Sequence, residues 1–210
     1  MNLNYSGFLE RSTVNGPGVR TVVWVQGCPI RCEGCFNPDL WTFEPRLQID
    51  THDLARRILD IDGIEGVTFS GGEPFAQAAA LGELGTLLRS SGLNILTFTG
   101  FTYEELLRKA RPSWDRLLAV TDILVAGPYV SGLQCHASLL SSTNQRILDL
   151  GALRAGRTSA KRPPQRMIEI IIAPDGTCTA TGFPEDTFLK VFEEQGMIKQ
   201  DSRYVSLQST

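Results

Sequence analysis

The chain has 210 residues, of which 42% are hydrophobic and 20% charged, and a formal net charge of -3. That balance excludes a disordered chain and gives no basis for a nucleic-acid or anionic-membrane surface. One domain with a substantial core is expected, and the absence of a basic-then-apolar leader or a bilayer-length apolar run points to the cytoplasm.

In chain order, residues 21–25 (Thr-Val-Val-Trp-Val) form a β-branched run that predicts a buried strand, and a cysteine-rich loop follows directly. Leu54, Ile58 and Ile61 recur at helical spacing after the polar start Asp50-Thr51. A second strand is expected over 66–69, and a helix marked by Leu81, Leu84 and Leu88 comes next. A third strand falls at 94–98, a helix at 103–110 and a fourth strand at 122–125. A fifth strand is expected at 167–172, followed by the turn signal Ala173-Pro174-Asp175-Gly176-Thr177, a short strand from Cys178 and a closing helix marked by Phe188, Val191 and Phe192.

This alternation predicts an α/β fold with a parallel sheet covered by helices. The chain is short for eight βα units, so the expectation is an incomplete barrel of the TIM type, open on one side, with a small C-terminal hairpin-and-helix extension. The core is expected over 1–152 and a flexible loop, rich in Arg, Lys and Pro, over 153–166. Residues 167–210 complete the same domain.

Cys28, Cys32 and Cys35 stand in the spacing C-x3-C-x2-C. Five cysteines are an odd number, and no oxidising compartment is indicated, so a disulfide framework is not expected. Three clustered thiolates suit either an iron–sulfur cluster with one iron left open or part of a zinc site, and ligand type does not decide between them. Cys135 and Cys178 are scattered and read as small buried hydrophobes.

Every other candidate motif also follows a strand, where the loops of an α/β fold share one mouth. Ser70-Gly71-Gly72-Glu73-Pro74 offers close backbone approach at the glycines and a carboxylate at a helix entrance; an ordinary tight turn capped by Glu73 fits the same letters. Thr99 and Gly100 close the third strand. Asn144, Gln145 and Arg146 carry planar hydrogen-bonding groups, suited to polar ligand groups or a partner's backbone, and equally to a solvated face.

The cysteine loop resembles that of the radical S-adenosylmethionine (SAM) superfamily. The flanking runs Asn15-Gly16-Pro17-Gly18-Val19-Arg20 and Cys35-Phe36-Asn37-Pro38 are similar to its glycyl-radical-enzyme activating branch, and Gly34 before the last cysteine is as in the anaerobic ribonucleoside-triphosphate reductase activating proteins. Thr97-Phe98-Thr99-Gly100-Phe101 resembles the Trp-Thr-Gly-Tyr segment of those activases, and 141–146 resembles their Gly-Ser-Ser-Asn-Gln-Arg run. Ala126 stands where the family has an acidic residue, and Ser141 where it has glycine.

The resemblance implies a partial TIM barrel and a [4Fe–4S] cluster on Cys28, Cys32 and Cys35. It also implies SAM held by Gly71, Gly72 and Glu73, with Thr99 and Gly100 lining the adenosyl pocket and Asn144 and Arg146 reaching its polar groups. No catalytic side chain beyond the cluster and SAM is implied. The activity implied is reductive SAM cleavage fed by a one-electron donor such as flavodoxin or ferredoxin, to install a glycyl radical on a partner enzyme. Anaerobic ribonucleotide reductase is favoured as that partner, ahead of a formate-lyase-type enzyme. A standalone radical SAM tailoring enzyme and a non-catalytic metal-binding module are the other readings.

Overall fold

The computed structural model describes residues 1–135, 137–156, 167–172 and 178–182. Seven strands form one mixed sheet: β1 (Asn2–Ser12), β2 (Arg20–Val25), β3 (Leu47–Asp50), β4 (Gly66–Gly71), β5 (Asn94–Thr99), β6 (Ile123–Ala126) and β7 (Arg146–Asp149), in the order β3-β1-β2-β4-β5-β6-β7. Neighbours among β2, β4, β5 and β6 pair in parallel, while β1 and β3 on one flank and β7 on the other pair antiparallel. The sheet is therefore α/β with a parallel centre, and β3 and β7 are its edges.

The expected elements appear with small shifts. Helix α1 (Thr51–Leu59) starts where Asp50 caps it, the Asp50 carboxylate accepting from the His52 amide at 2.8 Å; Ile61 lies beyond its end. Helices α2 (Ala78–Ser90) and α3 (Tyr103–Lys109) follow, the latter opened by a reciprocal capping box between Thr102 and Glu105. Helix α4 (Pro112–Val120) is an addition to the sequence reading. Its Pro112 suggests a break, yet proline at the first helical turn is a favoured start, and Trp114 and Leu117 bury the inner face. Helix α5 (Leu150–Arg154) is short.

The two faces of the sheet are covered differently. Val23, Val25, Val67, Phe69 and Ile95 pack with Leu54, Ile58, Leu81, Leu84, Leu88 and Leu117 from the helices. Each fully buried side chain of this kind contributes on the order of 1.5–3 kcal/mol. Leu96 and Val125, on the opposite face, meet Leu139 and Leu140 from a loop, and no helix among the described residues joins that cluster. The expected fifth strand, β8 (Ile168–Ile172), does not join this sheet; it pairs antiparallel with β9 (Cys178–Gly182) as a separate hairpin. The hairpin meets the core where Asn15 Nδ2 donates to Thr181 Oγ1 at 2.9 Å. The expected closing helix at 188–192 and most of the loop at 153–166 lie outside the described residues. Among the described residues, no helix is long and apolar enough to cross a membrane.

The amino ends of the parallel strands are fastened by Arg20, which has no solvent exposure. Its guanidinium donates to Thr68 Oγ1, the Pro17 and Val67 carbonyls, and both the side-chain and main-chain oxygens of Asn94, at 2.7–3.3 Å. Five donors thus have five acceptors, which is what a buried guanidinium requires. Burial pulls its pKa down to about 10, against the pull of Asp122 and Glu65, so it stays charged at neutral pH. The run from Asn15 to Arg20 therefore sits beneath the sheet, away from the cysteines. Arg20→Ala strands those acceptors and is expected to cost about 3 kcal/mol or more in urea unfolding. An unchanged midpoint would show that Arg20 fastens nothing.

Candidate metal and cofactor site

All four parallel strands end on the same edge of the sheet, and each hands over to a motif. After β2 come Gly27 and the cysteine loop; after β4, Gly72 and Glu73; after β5, Gly100; after β6, Gly127. Backbone hydrogen bonds stitch the first two together: the Gly72 amide donates to the Val25 carbonyl and the Glu73 amide to the Gly27 carbonyl, both at 2.8 Å. The glycines are needed for this contact. A Cβ on Gly71 would collide with the Val25 backbone, and one on Gly72 with the Gly27 carbonyl.

The cysteine loop is anchored from below. The Gly27 amide donates to the Leu40 carbonyl and the Cys28 amide to the Trp41 carbonyl. Gln26, almost fully buried, donates to the Asp39 and Thr42 carbonyls, both at 3.0 Å. Cys28 is buried, and Cys32 and Cys35 are half-buried. Burial pushes the Cys28 and Cys32 thiols up, and backbone amides oppose it: Ile30 and Arg31 face the Cys28 sulfur and Tyr129 faces that of Cys32. The Asn37 amide donates to Cys35 Sγ at 3.4 Å.

Residues 28–37 thus form a concave loop lined by amides, with Arg31 and Gly34 at positive φ. Such nests are the backbone form suited to anionic iron–sulfur groups. Among the described residues, no three His, Cys, Asp or Glu side chains form a ready site for a single ion. A cluster asks for something else, since each thiolate takes its own iron and the sulfurs stand apart. The residues therefore fit a [4Fe–4S] cluster held at three corners.

Glu73 is 1% exposed. Its Oε1 accepts from the Phe75 amide at 2.8 Å and the Thr99 hydroxyl at 2.9 Å, and its Oε2 accepts from the Gly100 amide at 2.8 Å. The carboxylate thereby ties the end of β4 to the end of β5. It also caps the 3-10 turn Pro74–Gln77, so the capping role coexists with the site role. No Lys or Arg among the described residues pairs with it. Burial lifts its pKa from 4.5 to about 7, against the three hydrogen bonds. A Cβ on Gly100 would strike Ile30 of the cysteine loop, so the third motif touches the first.

Asn144 and Arg146 are placed differently. Asn144 Nδ2 donates to the Pro128 carbonyl at 2.7 Å, and Arg146 pairs with Glu104 at 2.5 Å. Gln145 donates to the Gly127 carbonyl and accepts from the Ser141 and Ser142 amides. Cys135 packs beside Leu140, with its sulfur 3.8 Å from that residue's carbonyl oxygen. His136 and the Cys178 side chain lie outside the described residues. Sequence reasoning meets Tyr129 only as the end of the run Val125-Ala126-Gly127-Pro128-Tyr129 and gives it no role.

The raised pKa of Glu73 has a direct consequence. The folded chain holds a proton that the unfolded chain releases above about pH 4.5, so the stabilisation is complete below that pH and is lost as pH rises through about 7. Cluster-free protein should lose about 2–3 kcal/mol of unfolding free energy between pH 4.5 and 7.5 from this group. Glu73→Gln should flatten that part of the profile, as followed by urea unfolding. An unchanged slope in the variant would mean that Glu73 ionises freely.

Residues 14–148, more than half of the chain, match the family model described as a 4Fe-4S single cluster domain. Among curated proteins, the chain is similar to the pyruvate formate-lyase-activating enzyme of Listeria monocytogenes serovar 1/2a, with 37% identity over 147 residues, covering 65% of this chain and 57% of that one. It is also similar to the pyruvate formate-lyase 1-activating enzyme of Escherichia coli (strain K12), with 29% identity over 156 residues, covering 71% and 61%. A third relative is the pyruvate formate-lyase-activating enzyme of Clostridium pasteurianum, with 38% identity over 105 residues, covering 45% and 44%. The chain thus spans less than two thirds of the length of these relatives. On the family match, with a three-cysteine nest at the carboxyl edge of a parallel sheet, the chain belongs to the 4Fe-4S single cluster domain family.

Proposed function

We propose that this chain is a radical SAM activase that generates a glycyl radical on a partner enzyme. The observation that carries the reading is a buried, three-fold hydrogen-bonded carboxylate, Glu73, at the point where the cysteine loop meets the ends of β4 and β5. A carboxylate without a cation of its own is suited to receive the ammonium of an amino-acid ligand. Cys28, Cys32 and Cys35 hold the cluster and leave one iron open. When bound, the cluster and SAM supply one-electron cleavage of a sulfonium and hydrogen-atom abstraction.

The protein's part is binding, orientation and exclusion of water. Gly71 and Gly72 let backbone approach the ligand, Glu73 takes its ammonium, and Thr99 and Gly100 line the adenosyl side. Asn144 and Arg146 belong to the rim, since their side chains are already engaged with Pro128 and Glu104. The sheet, whose described helices pack on one face, supports an incomplete barrel with room for a protein loop. The electron comes from a flavodoxin- or ferredoxin-type donor. Two readings of the partner remain in play: the runs at 97–101 and 141–146 favour anaerobic ribonucleotide reductase, and the relatives' names favour pyruvate formate-lyase. Ala126 and Ser141, standing where the family has an acidic residue and a glycine, support a second reading as a standalone tailoring enzyme.

Anaerobic reconstitution should load about one cluster. Cys28→Ala, Cys32→Ala or Cys35→Ala should abolish it, while Cys135→Ala and Cys178→Ala keep it. Stoichiometric zinc without iron would overturn the metal assignment. Dithionite and SAM should yield 5′-deoxyadenosine and methionine, and Glu73→Ala should weaken SAM binding by about 1.5–3 kcal/mol. A glycyl radical enzyme of either type from the same source should then gain a radical signal in electron paramagnetic resonance, lost on Gly→Ala at its radical site. SAM cleavage with every such partner left radical-free would favour the tailoring reading.

A further inference from the structure

The run Ser142-Thr143-Asn144-Gln145 has no role in the chemistry above, yet four of its polar groups reach one neighbouring segment. Asn144 Nδ2 donates to the Pro128 carbonyl, Gln145 Nε2 to the Gly127 carbonyl, and the Thr143 amide to the Leu133 carbonyl. Ser142 Oγ, fully buried, accepts from the Val130 amide at 3.3 Å. From its other end the same segment is held by the Gly127 amide, which donates to the Thr99 and Phe101 carbonyls. Residues 127–133 are thereby fixed at both ends, and what they carry lies against the cysteine loop.

Tyr129 is at the centre of that segment. Its amide faces the Cys32 sulfur. Its ring packs 5.8 Å from that of Phe36, next to Cys35. A Cβ on Gly34, between Cys32 and Cys35, would lie 3.4 Å from the Tyr129 ring and 3.5 Å from Ser131. Gln134 Nε2 donates to the phenol oxygen at 2.8 Å and sets the ring's orientation. The loop between β6 and β7 is thus a wall standing against the cysteine loop.

We infer that Tyr129 is a positioning residue for the cluster, and that Asn144 and Gln145 act through it by clamping the wall in place. The inference rests on the cysteine loop holding the cluster. An amide aimed at a ligating sulfur offsets negative charge there and raises the potential; an aromatic ring beside it keeps water away, which slows the loss of iron and by itself lowers the potential of an anionic cluster. The clamp explains why two planar amides stand together at 144 and 145: each reaches a carbonyl of the wall, and neither needs to touch the ligand.

The test uses reconstituted holoprotein and two readouts independent of turnover: the midpoint potential, and the rate of iron loss to excess chelator. Tyr129→Ala and Asn144→Ala should each lose iron about tenfold faster, the scale of outer-shell changes at metal sites, and Tyr129→Ala, which keeps the amide but admits water, should shift the potential to less negative values. Tyr129→Phe keeps the amide and the ring and should restore both. Asn144 is exposed, so its truncation leaves the core intact if Tyr129→Ala folds poorly. Wild-type potential and iron retention in Asn144→Ala and in Tyr129→Ala would overturn the inference while leaving the cluster assignment standing. A wild-type chain that takes up no cluster would instead overturn the reading beneath it.

Discussion

The arrangement depends on one buried carboxylate. Glu73 accepts three hydrogen bonds inside the protein, from two backbone amides and a threonine hydroxyl that belong to two different strand ends. Without those donors a carboxylate at that depth would simply take a proton. With them it stays poised between its two forms near neutral pH, and its preference turns on what charge is brought beside it. A cationic ligand supplies the missing partner, so ligand binding and local electrostatics are coupled at this point. The same residue fixes the distance between the cysteine loop and the end of β5, because Gly100 is held against Ile30 by the bond to Glu73.

Two charged side chains hold the sheet at opposite ends. Arg20 gathers acceptors from the amino ends of β2, β4 and β5, and Glu73 gathers donors at the carboxyl ends of β4 and β5. Parallel strands make this division natural, since the carboxyl edge collects the cysteine loop, Gly72-Glu73 and Gly100, while the run from Asn15 to Arg20 stays at the amino edge. Stability is concentrated below and chemistry above. The described helices reinforce the arrangement by packing on one face, while the loop at 139–140 packs on the other.

Much of this was legible in the letters. The β-branched run at 21–25, the helical spacing at 54–58 and 81–88, and the placement of each motif after a strand follow from periodicity. Chemistry alone leaves the three-cysteine spacing open between a cluster and zinc, and the roles given to Gly71, Gly72 and Glu73 come from the resemblance. What stayed hidden has physical reasons. Strand β1 mixes polar and apolar residues because it is only partly covered, and its period is blurred. Helix α4 begins on a proline that reads as a break until its burial shows a start. Strand β8 has a core-like composition, but it pairs with β9, and pairing partners are not written in composition. Asn144 and Gln145 look like ligand-binding groups because the same amides that hold a ligand also hold a carbonyl of the chain. Tyr129 ends the run at 125–129 without a role of its own in the letters; only the folded loop brings it to Cys32.

The central claim is that three thiolates hold the cluster and leave one iron for the ligand that Glu73 receives. The most direct measurement is the Mössbauer spectrum of protein reconstituted with labelled iron, before and after SAM is added. The account predicts that one iron of the [4Fe–4S] cluster changes its isomer shift on SAM addition while the others do not, and that the change is weakened in Glu73→Ala. A spectrum that SAM leaves unaltered at every iron would contradict it.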